Sequence, residues 1–290
     1  MRLVFLGTPS AAVPALRALV DAGHDVALVI TRPDRKRARG SSLSPSPVKQ
    51  AAVELGLRVG HSLKDLDDLD VERGVVVAYG ALIPGAVLER TPMLNVHFSL
   101  LPRWRGAAPV ERAILAGDER TGVCVMSLEA ALDTGPVHAR ASVDVDDKTA
   151  AQLINELAAL GATLLVEVVG SRDLLEHPVA QEGEATYAHK LTSETFHLVP
   201  ANPVVLIART VRLGRAYCFV GDRRLRVQRG RVVASIAPPG SVSVEGGEVR
   251  LHCVDGTFAL DEVQPEGSRP MAAKAWWSGA RLDATALTWS

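Results

Sequence analysis

At 290 residues the chain is longer than most single cores, which predicts two domains. It is 47% hydrophobic and 22% charged, as a globular chain with a sizeable core should be, and its 4% aromatic content makes that core aliphatic. A net charge of −1 argues against a protein that coats nucleic acid or anionic membrane along its whole length.

The N-terminal MRLVFLGTPS has too short an apolar run for a signal peptide and leads straight into a strand, LVFLG (3–7). TPSAAVPALRALVDAG (8–23) carries apolar residues at helical spacing and stops at Gly23. DVALVIT (25–31) reads as a strand, VKQAAVELGL (48–57) as a helix, RVGHS (58–62) as a short strand and GVVVAYG (74–80) as a third clear one. PGAVLER makes a short helix and LNVHFS (94–99) a further strand. Strands separated by helices of this length predict right-handed crossovers and a mostly parallel sheet. APVERAILAG reads as a helix, GVCVMSLE (122–129) and VHARASVDV (137–145) as strands, and TAAQLINELAALGATLLVEVVG as a long amphipathic helix.

Periodicity is lost over 178–204, which predicts a linker between a domain at 1–177 and another at 205–290. Six short β segments follow: AYCFVG, RLRVQRG, RVVASIA, SVSVEG, EVRLHC and TFALDEVQPEG. They predict a small antiparallel barrel or sandwich. This half carries 12 Lys and Arg against 8 Asp and Glu, a net of +4, whereas residues 1–204 carry −5. RRLRVQRGR (223–231) holds five of those arginines; it suits a sugar–phosphate backbone and equally suits an edge strand protected by charge.

Cys124, Cys218 and Cys253 are odd in number and far apart, which reads as a reducing compartment without disulfides or a thiolate metal site. No uninterrupted apolar stretch reaches 18 residues. The expectation is a cytoplasmic monomer with no membrane partner.

One stretch mixes chemistry with apolar lining: NVHFSLLPRWRGAAP (95–109). Asn95 and His97, two apart on a strand, share a face at its carboxyl end, where open parallel sheets place their sites. Asp133, in the downstream ALDTGPV, could fix the imidazole's tautomer. A carboxamide donor, an imidazole and a carboxylate suit attack of an amine on a carbonyl. A lone strand-end His is more often structural, and Asp-Thr-Gly is more often a turn. No His or Cys lies at ligand spacing, so no metal is expected.

Asn95-Val-His97-Phe-Ser99-Leu-Leu-Pro102-x-x-x-Gly106, followed by Leu132-Asp133-Thr-Gly135, resembles the signature of 10-formyltetrahydrofolate-dependent formyltransferases. FLGTP, TRPDRKRARG, SPSPVK, VVAYG (76–80), LLPRWRGAAP, AILAGDERTGV, VQPEGSRPM and SGARL resemble the methionyl-tRNA formyltransferases among them. The resemblance spans nearly the whole chain. It implies an α/β fold: a Rossmann-like catalytic domain followed by an OB-like β-barrel. It also implies formyl transfer from 10-formyltetrahydrofolate, without a metal, to the amine of initiator methionyl-tRNA.

On that resemblance Asn95, His97 and Asp133 are catalytic. Ser99, Leu100, Leu101 and Pro102 shape the folate slot, and Val77 and Tyr79 in VVAYG add backbone contacts to it. The basic loop 31–49, with six Lys and Arg and one acid, resembles the insertion that meets the tRNA acceptor end. It supplies Arg35, Lys36, Arg37, Arg39 and Lys49 as tRNA contacts, and the barrel supplies Arg224 and Arg226. Two departures carry expectations. Phe98 replaces a very small residue, which predicts a tighter or re-shaped slot beside Ser99. Ala131 replaces a glycine, at a position expected to need positive φ. The alternatives are a formyltransferase of the same fold acting on a small amine, such as an amino sugar nucleotide or a glycinamide ribotide, and a non-catalytic RNA-binding relic.

Overall fold

The computed structural model describes residues 1–290 except 37–42, 236, 281 and 283–287. By internal contacts the chain forms two compact units. The first comprises residues 1–110, 120–144 and 153–189; the second comprises 111–119, 145–152 and 190–290.

The first unit is built on seven strands: β1 (Arg2–Gly7), β2 (Asp25–Ile30), β3 (Val59–Gly60), β4 (Arg73–Val77), β5 (Met93–His97), β6 (Arg120–Ser127) and β7 (Val137–Asp144). Their order in the sheet is β7-β6-β5-β4-β1-β2-β3. The pairs among β1 to β5 are parallel, and β6 and β7 join antiparallel. The chain leaves β1 towards β2 and β3, then returns to β4 on β1's other side. Open α/β sheets place their ligand crevice at the strands' carboxyl ends where the order reverses in this way. Leu3, Val4, Phe5 and Leu6 are all fully buried, as a central strand covered on both faces requires. Each such side chain contributes roughly 1.5–3 kcal/mol.

The helices are α1 (Val13–Asp21), α2 (Pro47–Glu54), α3 (Gly85–Arg90), α4 (Pro109–Ala116), α5 (Ala150–Gly170), α6 (Arg172–Glu176), α7 (Val204–Val211) and α8 (Ala273–Ala280). Helix α2 starts where it does because the Ser46 hydroxyl accepts the Lys49 amide and Pro47 occupies its first turn. Helix α5 is long and apolar enough to cross a bilayer by length and composition. Here Leu153, Leu157, Leu165 and Val168 are buried, and Gly161 lies close against Val96 and Val123 of the sheet.

In the second unit β8 (Tyr217–Val220), β9 (Arg223–Val233), β10 (Val242–Glu245), β11 (Glu248–His252), β12 (Thr257–Pro265) and β13 (Met271–Ala272) form an antiparallel sheet ordered β8-β9-β12-β11-β10, with β13 on β12. Residues 288–290 bridge its two edges. Phe219 and Ser290 exchange backbone hydrogen bonds, and the Trp289 amide donates to the Gly240 carbonyl. This curls the sheet into a barrel, with Trp289 buried and its indole N–H donating to the His252 carbonyl.

The predicted strands RLRVQRG and RVVASIA are one strand, β9, kept continuous across irregular register between Val227 and Gly230. Helices α7 and α8 have no counterpart in the sequence reading. VVLIARTV is rich in β-branched residues, yet Val204, Ile207 and Val211 bury one helical face against the barrel core.

Candidate active site

Asn95 and His97 lie on β5, where Asn95 pairs with Val76 of β4 on one side and Met126 of β6 on the other. Strand alternation turns both side chains to one face. Phe98 falls on the opposite face and points towards Gly161 of α5, so it does not narrow the site; the expectation of a tighter slot is corrected. Asn95 is half-buried, while His97 and Asp133 are 6% and 8% exposed.

His97 Nε2 lies 2.9 Å from the Trp104 carbonyl oxygen. A carbonyl only accepts, so Nε2 carries the hydrogen and Nδ1 is the bare nitrogen of the neutral ring. Nδ1 faces Asp133 Oδ2 at 3.7 Å. That oxygen also accepts the Gly106 amide at 2.8 Å. A proton arriving at Nδ1 therefore lies against the Asp133 carboxylate, while Nε2–H stays on the Trp104 carbonyl.

The backbone around this pair is strained. Trp104 (φ +61°) and Asp133 (φ +50°) occupy the left-handed region, and Gly106 lies at φ +118°. For the two non-glycine residues such conformations cost about 1–3 kcal/mol each, and they cluster at functional sites, whereas Gly106 adopts its φ freely. The left-handed residue of the downstream loop is thus Asp133, two positions after Ala131, which is not in that region. The glycine that this loop does need is Gly135, where a Cβ would sit 1.9 Å from the Ser127 carbonyl oxygen.

What holds these loops lies in the predicted linker. Thr186 accepts the Trp104 amide on its hydroxyl and the Arg105 amide on its carbonyl. Ala188 accepts the Ala107 and Ala108 amides. The Gln181 carboxamide donates to the Asp133 and Gly135 carbonyls at 2.9 and 2.8 Å, and its oxygen accepts from Arg105 Nε and Nη2 at 3.1 and 2.7 Å. Residues 178–189 accordingly belong to the first unit. No periodicity could announce them, because they act one residue at a time across long sequence separations.

The residues of the expected folate slot divide. Ser99 is fully buried and its hydroxyl donates to the Arg103 carbonyl at 2.6 Å, closing the loop that it starts. Leu101 packs in a core with Cys124, Met126 and Val137. Leu100 lies against Gly122, and the Pro102 carbonyl accepts the Thr186 amide. Val77 and Tyr79 turn buried side chains inward, and burial pushes the Tyr79 phenol up. What they offer beside the crevice is backbone, shaped by left-handed Ala78 and Gly80 and tied across it by the Thr8 hydroxyl donating to the Tyr79 carbonyl.

Of the expected tRNA contacts, Arg37 and Arg39 lie outside the described residues, and of Lys36 only its backbone is described, paired with Leu43. Arg35 is exposed. The Lys49 ammonium is bound by both Asp34 carboxylate oxygens at 2.8 and 2.9 Å, which compensates its charge locally. In the second unit Arg224 lies over the Tyr217 ring at 4.2 Å, Arg215 over Phe196 at 4.5 Å, and Arg226 donates to the Gly214 carbonyl. These three arginines line a cleft of about 320 Å³. Arg229 and Arg231 instead pair with carboxylates: Glu262 for the first, Asp261 and Glu248 for the second.

A doubly wound sheet that carries a carboxamide, an imidazole and a carboxylate, followed in sequence by a β-barrel, agrees with the matched families: formyl transferase over residues 1–169, and the formyl transferase C-terminal domain over 203–281. The chain is similar to the methionyl-tRNA formyltransferase of Novosphingobium aromaticivorans, with 46% identity over 93% of this chain and 94% of the relative. It is 41% identical to that of Roseobacter denitrificans over 98% and 97%. A sugar 3-N-formyltransferase solved in the presence of dTDP and 5-N-formyl-tetrahydrofolate shares the fold at TM-score 0.70, with 13% identity over 93% of this chain and 99% of that one. The chain belongs to the methionyl-tRNA formyltransferase family.

Proposed function

We propose that this chain transfers the formyl group of 10-formyltetrahydrofolate to the free amine of initiator methionyl-tRNA, with Asn95, His97 and Asp133 as its catalytic residues. The folate supplies an activated formyl group and a leaving amine. Asn95 offers a carboxamide N–H to the negative charge developing on the formyl oxygen, a donor worth roughly 3–4 kcal/mol when preorganised. His97 takes at Nδ1 the proton shed by the attacking amine, its Nε2–H remaining on the Trp104 carbonyl. Asp133 stabilises the resulting imidazolium across 3.7 Å. The proton returns to the departing folate amine, so none is gained or lost overall. The observation that carries this reading is the tautomer: the Trp104 carbonyl leaves Nδ1 as the proton acceptor, facing the carboxylate.

The crevice side of 77–80 fits the folate by its backbone, since Val77 and Tyr79 have no side-chain surface to spare. Loop residues 100–102 shape the slot from behind, and Ser99 and Leu101 act by holding that loop in place. In the barrel, Arg224 and Arg226 meet tRNA phosphates, and Arg35, Lys36, Arg37 and Arg39 meet the acceptor end. Lys49 anchors the loop's C-terminal side through Asp34. The protein works as a cytoplasmic monomer without a metal.

An amino sugar acceptor is the second reading, because the sugar formyltransferase shares this fold. The near-full-length relatives and the arginine cleft favour tRNA. Purified protein given 10-formyltetrahydrofolate and methionyl-tRNA should form formylmethionyl-tRNA. Asn95→Ala should lower kcat about 10²–10³-fold and His97→Ala about 10²–10⁴-fold. Folate binding without transfer to the tRNA would turn the assignment towards small amines.

A further inference from the structure

Asp133 is placed by a ring of contacts that closes on one side chain outside the catalytic trio. Its Oδ2 accepts the Gly106 amide; the neighbouring residue, Arg105, donates from two guanidinium nitrogens to Gln181 Oε1; and Gln181 Nε2 donates back to the Asp133 carbonyl. The second Nε2 contact, to the Gly135 carbonyl, brackets the turn on its far side. Left-handed φ at Asp133 is unfavourable for the isolated peptide, so external contacts must hold it. Gln181 stands 48 residues away in sequence and supplies two of them.

The carboxamide is the group this place needs. Two carbonyls require donors while a guanidinium requires an acceptor, and an amide alone among side chains of this length presents both at one end. A carboxylate would keep Arg105 and repel both carbonyls. An ammonium would do the reverse.

We infer that Gln181 is a positioning residue for formyl transfer: its carboxamide locks the left-handed turn that sets Asp133 against His97 Nδ1. The inference rests on the roles given above to His97 and Asp133. Loss of the lock lets the carboxylate drift from a slot where misplacement by about 1 Å costs up to roughly a hundredfold in rate.

The test is a cycle of Gln181→Ala, Asp133→Asn and the double variant in steady-state formyl transfer, with tetrahydrofolate binding and thermal melts as controls of folding. Gln181→Ala should lower kcat about 10–100-fold and leave KM for the folate and for methionyl-tRNA within about twofold. In the Asp133→Asn background it should cost nothing further, because its effect passes through that carboxylate. Gln181→Glu, which keeps the side-chain length and the Arg105 contact, should be as slow as the alanine variant. It carries the test alone if the alanine variant does not fold. Wild-type kcat in Gln181→Ala, an equal fold-loss in both backgrounds, or full activity in Gln181→Glu would overturn the inference. Wild-type turnover in Asp133→Asn would instead remove the catalytic role of Asp133 itself, and the inference with it.

Discussion

At the scale of single residues, the site is a set of directions rather than a set of identities. Asn95, His97 and Asp133 are singled out in the sequence by the longer string Asn-x-His-x-Ser-Leu-Leu-Pro and the later Leu-Asp-x-Gly, since a strand-end His or an Asp-Thr-Gly alone is more often structural. Which nitrogen of the His97 ring is left bare is not legible. It is decided by the Trp104 carbonyl, whose own residue must adopt φ +61° to present it. Phe98 shows the converse. Beside Ser99 it reads as part of the slot, but strand alternation sends it to the other face of the sheet. Phe98→Ala should therefore lower stability by about 1–3 kcal/mol, because the side chain is only half-buried, and leave KM for the folate within about twofold. Urea melts and steady-state kinetics check both parts; a large rise in KM with unchanged stability would put Phe98 back into the slot.

At the scale of elements, the strands and long helices follow from period and length, whereas the turns between them rest on close contacts that no period reports. The turn carrying Asp133 depends on Gly135, packed so closely on the Ser127 carbonyl that no side chain fits. Gly135→Ala should displace that turn and cost roughly 2 kcal/mol or more, since backbone cannot yield as a side-chain tip can. A variant with a wild-type melting temperature and wild-type kcat would show the turn to be more pliable than this. The helix at Val204–Val211 was hidden by its β-branched residues. Its apolar spacing becomes decisive only when a barrel core is there to receive it.

At the scale of the whole molecule, each unit buries a histidine in neutral form. The His138 Nδ1–H donates to the Leu174 carbonyl, and its Nε2 accepts from the Ser127 hydroxyl. The Thr257 hydroxyl donates to the Ser235 carbonyl, so it accepts from His252 Nδ1, and the Ser243 hydroxyl donates to His252 Nε2. Burial holds both imidazoles below their ordinary value of 6.5. The unfolded chain thus takes up protons first as the pH falls. Stability should be at its full value above about pH 6.5 and decline below it, reaching its loss as the folded imidazoles titrate. Urea midpoints at pH 7.5 and 5.5 measure this; equal midpoints would refute it. Binding of methionyl-tRNA should weaken steeply with salt, with a log–log slope of about −0.7 to −0.9 per phosphate neutralised. Arg224→Ala and Arg226→Ala should each flatten that slope, and an unchanged slope in both would exclude the barrel cleft from the RNA interface.

The sequence by itself determined the alternation of strands and helices, the β-rich second half, the basic stretch at 223–231 and the placement of Asn95 and His97 on one face of a strand end, because each is written in local spacing. Only the tertiary structure decided that Ser99 and Leu101 face inward, that Lys49 is paired with Asp34, and that residues 178–189, which read as linker, hold the loops of Trp104 and Asp133. The reason is physical. Periodicity reports which face of an element avoids water, whereas Gln181, Thr186 and Gly106 work through single hydrogen bonds between segments tens of residues apart, and those partners meet only when the sheet has brought them together.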